Sequence, residues 1–511
     1  MRNAVRWIRS WLLVGAWGCA VGGFGAEPEA KVEMTVQLPP FIVDQATGPR
    51  WRYRQIPRFE ILSRCNDLTT DQLTLAFHRA NQLLCTVLPL RFQLALDAPQ
   101  TLIFYDQKLW PAAEQAAVAA MLQERTAVRP VPIAPSAVRP GDFFLSNLML
   151  SDADTITTFA LVTEEAIDPA ASYLTPAYVS NLLETRSPAL PRWFTAGFMR
   201  LYGRMQFRGP TVTARPLRGE PGQELMPLAT VLGGDAPPVT DPGPWLGQAE
   251  LFVTWGLDPE NRHTAAFWKF LELTDTETVT ETLFRECFGF DYADAARELG
   301  AYALTPHSLR WTLPDEALRL PDAPLEDASG RQIARIKGEW ERLEAHYVRK
   351  NQPDLESHYV ALARRTLRKA YERDDRDPRL LASLGLLELE AGDKPAARTY
   401  LEAAVQGGVV RPRAYYELAR LRYDPLVGRS KRNDGKFSRE QIDPVLQPLL
   451  AATMQSPPLP AVYELMAHVS ALDLEPPSPE VTAALRQGAR LFPRKRDRLL
   501  ELATKTPSGT N

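Results

Sequence analysis

The hydrophobic pattern of this chain changes period near residue 170, and that change separates material that pairs partly as strands from material that packs as helices. Upstream, KVEMTVQL (31–38) alternates apolar and polar residues, and RFEILSR (58–64) and TLIFYD (101–106) are short β-rich runs bounded by turn residues. A helix opens between the last two at Thr69, with Gln72 three residues on as a capping box, and a second, AAEQAAVAAML, follows TLIFYD. After the proline-rich stretch 128–141, DFFLSNLML and DTITTFALV read as a strand hairpin. The segment 30–165 therefore predicts a small mixed sheet with helices packed on it.

From 170 to 304 the period is 3.6, apart from a Gly/Pro-rich insertion at 209–244. Trp245, Ala249, Phe252 and Val253 share one face, Phe267, Phe270 and Leu271 the next, and Leu283, Phe284 and Cys287 another. Residues 312–330 carry many Pro and Asp and no period, so the main boundary falls there as a linker. Residues 331–505 are helical again, and 506–511 read as a disordered tail. The fold class expected is α+β: a mixed small sheet plus a helical subdomain (27–311), followed by an all-α solenoid.

A chain of 511 residues, 45% of them hydrophobic, has enough material for at least two cores. A formal charge of −3 with no long Lys/Arg stripe provides no field for nucleic acid. Residues 1–26 combine Arg2, Arg6 and Arg9 with the apolar run SWLLVGAWGCAVGGFGA, the composition of a secretory signal, so the mature chain is expected to begin near Ala26 or Glu27 and to be secreted or periplasmic. A membrane anchor needs about 20 apolar residues, and lipidation at Cys19 meets a poor preceding match in Ala16-Trp17-Gly18. No later segment is long and apolar enough to span a bilayer. Cys65, Cys85 and Cys287 then remain, too few and too scattered for a disulfide framework. Cys85 falls on an apolar helix face as a buried thiol, with a Cys65–Cys85 bridge as the alternative.

The stretch DPRLLASLGLLELEAGDKPAARTYLEAAV (377–405) resembles a tetratricopeptide repeat: Leu384-Gly385 on a first helix, Gly392 at the turn, and Ala397, Leu401 and Ala404 on a second. Glu388 departs from the aromatic the pattern prefers. RPRAYYELARLRY (411–423) and LPAVYELMAHVS (459–470) echo the first helix, and YVALARRTLRKAYERDDRDP (359–378) a second. The resemblance implies a module that binds a protein or peptide along its first helices, where Glu388, Tyr416, Arg420 and Glu464 are the candidate contacts.

The pair LTPAYVSNLL and PALPRWFTAGFMRLYG resembles the core of the peptidase MA-like gluzincin metalloproteases. In that family a His-Glu-x-x-His helix is followed by a helix beginning Trp-[Leu/Phe]-x-Glu-Gly. Histidines four apart reach one Zn²⁺, the adjacent glutamate activates water and the second helix supplies the third ligand. Laid on that pattern, Pro176 and Ser180 occupy the histidine positions, Ala177 that of the general base and Ala196 that of the third ligand. The resemblance runs from about 30 to 307 in order of elements, but every diagnostic residue is missing.

Elimination supports the same reading without the alignment. The six histidines are His78, His263, His307, His346, His358 and His468, so none lies between 79 and 262 and no two are four apart. The scattered cysteines cannot substitute, and Thr175-Pro176 reads as an N-cap and first helical residue, so the helix starts at the motif. No phosphate loop, dinucleotide fingerprint or nucleophile elbow is present. No metal and no cofactor are expected. The leading function is a non-catalytic peptidase-like protein with a protein-binding repeat array. The alternatives are a structural component of a cell-envelope assembly, or a hydrolase built from carboxylates near strand ends (Glu164, Glu165, Asp168) with a histidine such as His263.

Overall fold

Strands form where apolar and β-branched residues cluster between turns, and nine do so in the computed structural model, which describes residues 49–93, 96–109, 146–166, 175–184, 190–217, 225–233, 241–351, 353–430 and 436–504. All of these lie in one unit, Pro39–Asn511. The expected strand 31–38, the helix 112–122, the leader and the tail fall outside the described residues.

The principal sheet is built from β1 (Arg52–Ile56), β2 (Phe59–Ser63), β3 (Gln100–Asp106), β4 (Ser146–Ser151) and β5 (Ile156–Val162). Its order is β4-β5-β3-β2-β1, with β9 (Glu326–Asp327) at the far edge. β2, β3 and β5 run parallel, and β4 and β1 pair antiparallel at either side. Every residue of β3 and of β5 is buried, so both faces of the sheet are covered.

One face packs on α1 (Asp67–Val87). This helix begins two residues before the Thr69 start read from the sequence, because the Asn66 side chain accepts the Thr69 N–H at 2.8 Å and caps it there. Leu73, Phe77, Ala80, Leu84 and Val87 face the sheet as expected, while Cys85 sits half-buried at the edge of that face, and Cys65, Cys85 and Cys287 are free thiols. The same core continues into α2 (Pro176–Glu184), α3 (Arg192–Gly203), α4 (Leu228–Gly233), α5 (Gly243–Leu257), α6 (Thr264–Leu273), α7 (Glu281–Phe288) and α8 (Tyr292–Leu304). The insertion 209–244 contributes structure of its own. A second sheet joins β6 (Met205–Arg208), β7 (Thr211–Ala214) and β8 (Arg310–Thr312), and it brings the chain back beside α3 before the linker region.

The other face of the sheet is covered by α9 (Gly330–Asn351), the first helix of the C-terminal half. Ile336, Trp340 and Leu343 close a core with Leu62, Ile103, Tyr105 and Phe159, and the Trp340 and Phe159 rings lie 5.5 Å apart. Residues 312–330 run between the two halves and bond to the first: β9 pairs with β1, Ala328 N–H donates to Trp51 O at 2.8 Å, and His78 Nε2 lies 2.9 Å from Glu316 O.

Helical hairpins follow: α10 (Glu356–Glu372) pairs with α9, α11 (Pro378–Glu390) with α12 (Lys394–Gln406), α13 (Pro412–Ser430) with α14 (Arg439–Thr453), α15 (Pro460–Ala471) with α16 (Pro479–Leu491), and α17 (Arg496–Thr504) ends the array. α9, α11, α13 and α15 lie side by side. The α11–α12 turn uses Gly392 at φ 88°, a left-handed conformation that favours glycine. A Cβ on Gly385 would fall 2.6 Å from Leu401 Cγ, so the two helices meet there at glycine distance. The protein is thus mixed α+β, with a small sheet and a C-terminal all-helical region.

Candidate functional site

The motif helices are adjacent and locked. α2 starts at Pro176, whose missing N–H costs nothing at a helix start, and Val179 N–H donates to Thr175 O at 2.9 Å. The Thr175 hydroxyl lies 2.5 Å from the Tyr202 hydroxyl of α3, and both residues are buried. Burial pushes the Tyr202 phenol up to about 12, so it stays protonated as a hydrogen-bonding partner. Tyr178, Val179, Leu182 and Leu183 turn inward from α2, and Tyr178 meets Phe77 edge-on at 5.2 Å.

The four positions at which the gluzincin pattern carries function therefore fall on the outward part of this pair. Ala177 is exposed, Pro176 and Ser180 are half-buried, and Ser180 Oγ donates to Glu184 Oε1 at 2.7 Å. Ala196 is half-buried against the core on α3. Its neighbour Gly197 sits against α5, where a Cβ would lie 2.4 Å from Ala249 O. Trp193 and Phe194 are buried aromatics, Trp193 meeting Phe252 at 5.3 Å. None of these side chains ionises or coordinates a metal. Among the described residues no three His, Cys, Asp or Glu side chains are grouped to hold a metal ion.

The other catalytic candidates have local partners. Glu164 accepts the Asn66 N–H at 2.5 Å, Glu165 pairs with Lys108, and Asp168 lies outside the described residues. His263 stacks on Trp255 at 5.1 Å, with Nε2 3.1 Å from Glu298 Oε2 and 3.0 Å from Arg262 Nε.

Of the candidate contacts on the repeats, three are grouped and one is not. Arg420 and Glu464 both act on the Tyr416 phenol, whose pKa burial raises first and foremost. Arg420 Nε lies 2.9 Å from Glu417, and Glu464 pairs with Lys495. Glu388 is a correction: it is fully buried, taking Arg364 at 2.6 Å and Arg368 at 2.7 Å, both from α10. An acidic residue replaces the aromatic there because α10 presents two arginines to it, and the trio ties one hairpin to the next.

Sequence reading missed the largest polar feature, a set of buried ion pairs joining the sheet to the repeats. Glu60 of β2, fully buried, receives Arg335 of α9 at 2.9 Å, Arg379 of α11 at 2.7 Å and the Tyr53 hydroxyl at 2.9 Å. Burial opposes its ionisation, but the two guanidiniums prevail and hold its carboxyl down at about 2. At the β4–β5 turn, Asp152 accepts from Arg411 at 2.9 Å and Arg413 at 2.7 Å and also binds Arg342, while Asp154 accepts the Arg413 N–H at 2.7 Å. Glu339 and Glu390 complete the cluster, each pairing with Arg342. Three arginines face four carboxyls, and Asp154 has a single guanidinium, Arg411 at 3.3 Å. Burial, reinforced by the charge of Asp152, pushes it up to about 7, whereas the arginines overcome burial at Asp152 and hold it well below the usual range. Asp-x-Asp in a hairpin turn and Arg-x-Arg across a helix start were the available signals.

No family model, no curated protein and no solved structure matches the chain.

Proposed function

We propose that this is a secreted or periplasmic, non-catalytic protein in which a peptidase-like module without zinc ligands carries a tetratricopeptide-like array that binds another protein or peptide. The observation that carries the reading is the contrast between the two candidate surfaces. At the motif helices, Pro176, Ala177, Ser180 and Ala196 offer no group able to bind zinc or activate water. On the repeats, Tyr416, Arg420 and Glu464 bring an aromatic and both signs of charge together on neighbouring helices, a composition suited to polypeptide recognition.

The buried ion pairs add to this. They hold the first helices of the array in fixed relation to the sheet, so the repeat face is preorganised, and a partner spends little of its affinity on ordering it. Peptides selected from a display library on the full-length chain provide the test. Arg420→Glu combined with Glu464→Lys should weaken the selected peptide by about tenfold or more, since like charges replace opposite ones at the contact. Unchanged affinity with an intact fold moves binding away from this face.

A further inference from the structure

We propose that the cleft between α9 and α10 binds an extended acidic peptide segment. This site is separate from the repeat face discussed above and stands whether or not that face binds. The cleft has a volume of about 790 Å³ and is lined, among the described residues, by five cations, Arg331 and Lys337 from α9, Arg365 and Lys369 from α10 and Arg373 at its C-cap, with no carboxylate. Lys337 has Glu341 at 4.0 Å. The other four make no ion pair among the described residues.

That is unlike the other side of the same helices. Arg335, Arg342, Arg364 and Arg368 are all matched with carboxylates. In a chain whose formal charge is −3, four unmatched cations around one concavity form a local positive field that favours an anionic occupant.

Geometry selects the kind of anion. The helices touch at Gly338, where a Cβ would lie 2.3 Å from Leu367 Cδ2, and the cleft opens beyond that contact toward the start of α9 and the end of α10. Arg365, Lys369 and Arg373 recur every fourth residue, so each step along α10 advances about 6 Å. Alternate side chains of an extended chain advance about 6.6 Å. Acidic residues at alternate positions of a bound strand therefore meet one cation per step, and Ile333, Ala334 and Ala370 supply an apolar floor for the strand between them. A compact phosphate would satisfy only part of the row. At the open end, the first amides of α9, at Gly330 and Arg331, lie where helix N–H groups have no intrahelical acceptor and add partial positive charge.

The test is fluorescence anisotropy of a labelled peptide of alternating Glu and Ala titrated with the full-length chain, beside a Gln/Ala control, with tripolyphosphate and a peptide of contiguous Glu as competitors. The alternating peptide should bind, weaken as salt is raised and outcompete both others, and Arg365→Glu/Lys369→Glu/Arg373→Glu should weaken it by about tenfold or more. All three side chains are exposed, so circular dichroism and melting should be unchanged. If that variant does not fold, the neutralising pair Arg365→Gln/Arg373→Gln serves, with a fall of about threefold. Absence of binding, equal binding by the variant, or tighter binding of tripolyphosphate or contiguous Glu would overturn the proposal.

Discussion

Arg379 of α11 donates to Glu60 of β2 at 2.7 Å across 319 residues of sequence, and Glu60 is wholly buried. Arg335 shares the same carboxylate. Removing one partner of such a group leaves charge buried without compensation, typically about 3–5 kcal/mol. Glu60→Ala should therefore destabilise the full chain by that order in urea denaturation, and the sheet and the repeats should lose stability together. A variant whose C-terminal helices melt unchanged would show that the halves are energetically separate.

Asp154 makes the same interface sensitive to pH. Its pKa is raised to about 7 in the fold, against 3.8 for a free Asp carboxyl. The folded chain thus holds a proton there that the unfolded chain has lost, and stability must fall as pH rises from about 4 to 7, by about 1.4 kcal/mol per pH unit at most, then level off. Asp152, Glu339, the three arginines and His346 all face this cluster, so total stability is a composite. The difference between wild type and Asp154→Asn isolates the one proton. The variant should show a flatter decline in melting temperature between pH 5 and 7.

Gly197 permits the closest approach in the motif region. Gly197→Ala must push α3 off α5, because its Cβ would meet the Ala249 carbonyl at 2.4 Å. Overpacking of this kind costs about 1–3 kcal/mol, readable as a lower midpoint in chemical denaturation. Gly203, at the end of the same helix, has open space and should tolerate Ala with little change.

Installing the gluzincin ligand set is a sharper test of the proposed reading of the motif helices. Pro176→His, Ser180→His and Ala196→Glu together should create at most weak zinc affinity, measured by competition with a chromogenic chelator. Metal-bound imidazoles need partners that orient them, worth about 10–100-fold in affinity, and Ser180 presently finds only Glu184.

Much of this architecture was readable from sequence for identifiable reasons. TLIFYD and the run from Ile156 to Val162 are rich in apolar and β-branched residues, as strands covered on both faces must be, whereas their parallel pairing is seen only in the fold. Gly385 and Ala397, small residues on the two helices of 377–405, fit a close helix pair, although the residue that Gly385 meets is Leu401 of the same hairpin, not one that fills a gap to the next. What escaped was non-local. The residues covering the second sheet face, Ile336 and Trp340, lie beyond a stretch whose Pro and Asp content reads as a linker. Arg411, Arg413, Asp152 and Asp154 each look like surface charge until folding brings them together. Glu388 was misplaced for the same reason: its arginines lie on a different helix.

The proposed function is that the C-terminal helices bind a polypeptide that the chain does not cleave. Hydrogen exchange followed by mass spectrometry, on the full chain with a display-selected peptide and added zinc, addresses it most directly. Slowed exchange in Pro412–Ser430 and Pro460–Ala471, with the peptide recovered intact, is the expected result. Protection confined to Pro176–Glu184 and Arg192–Gly203, with the peptide recovered as fragments, would contradict it.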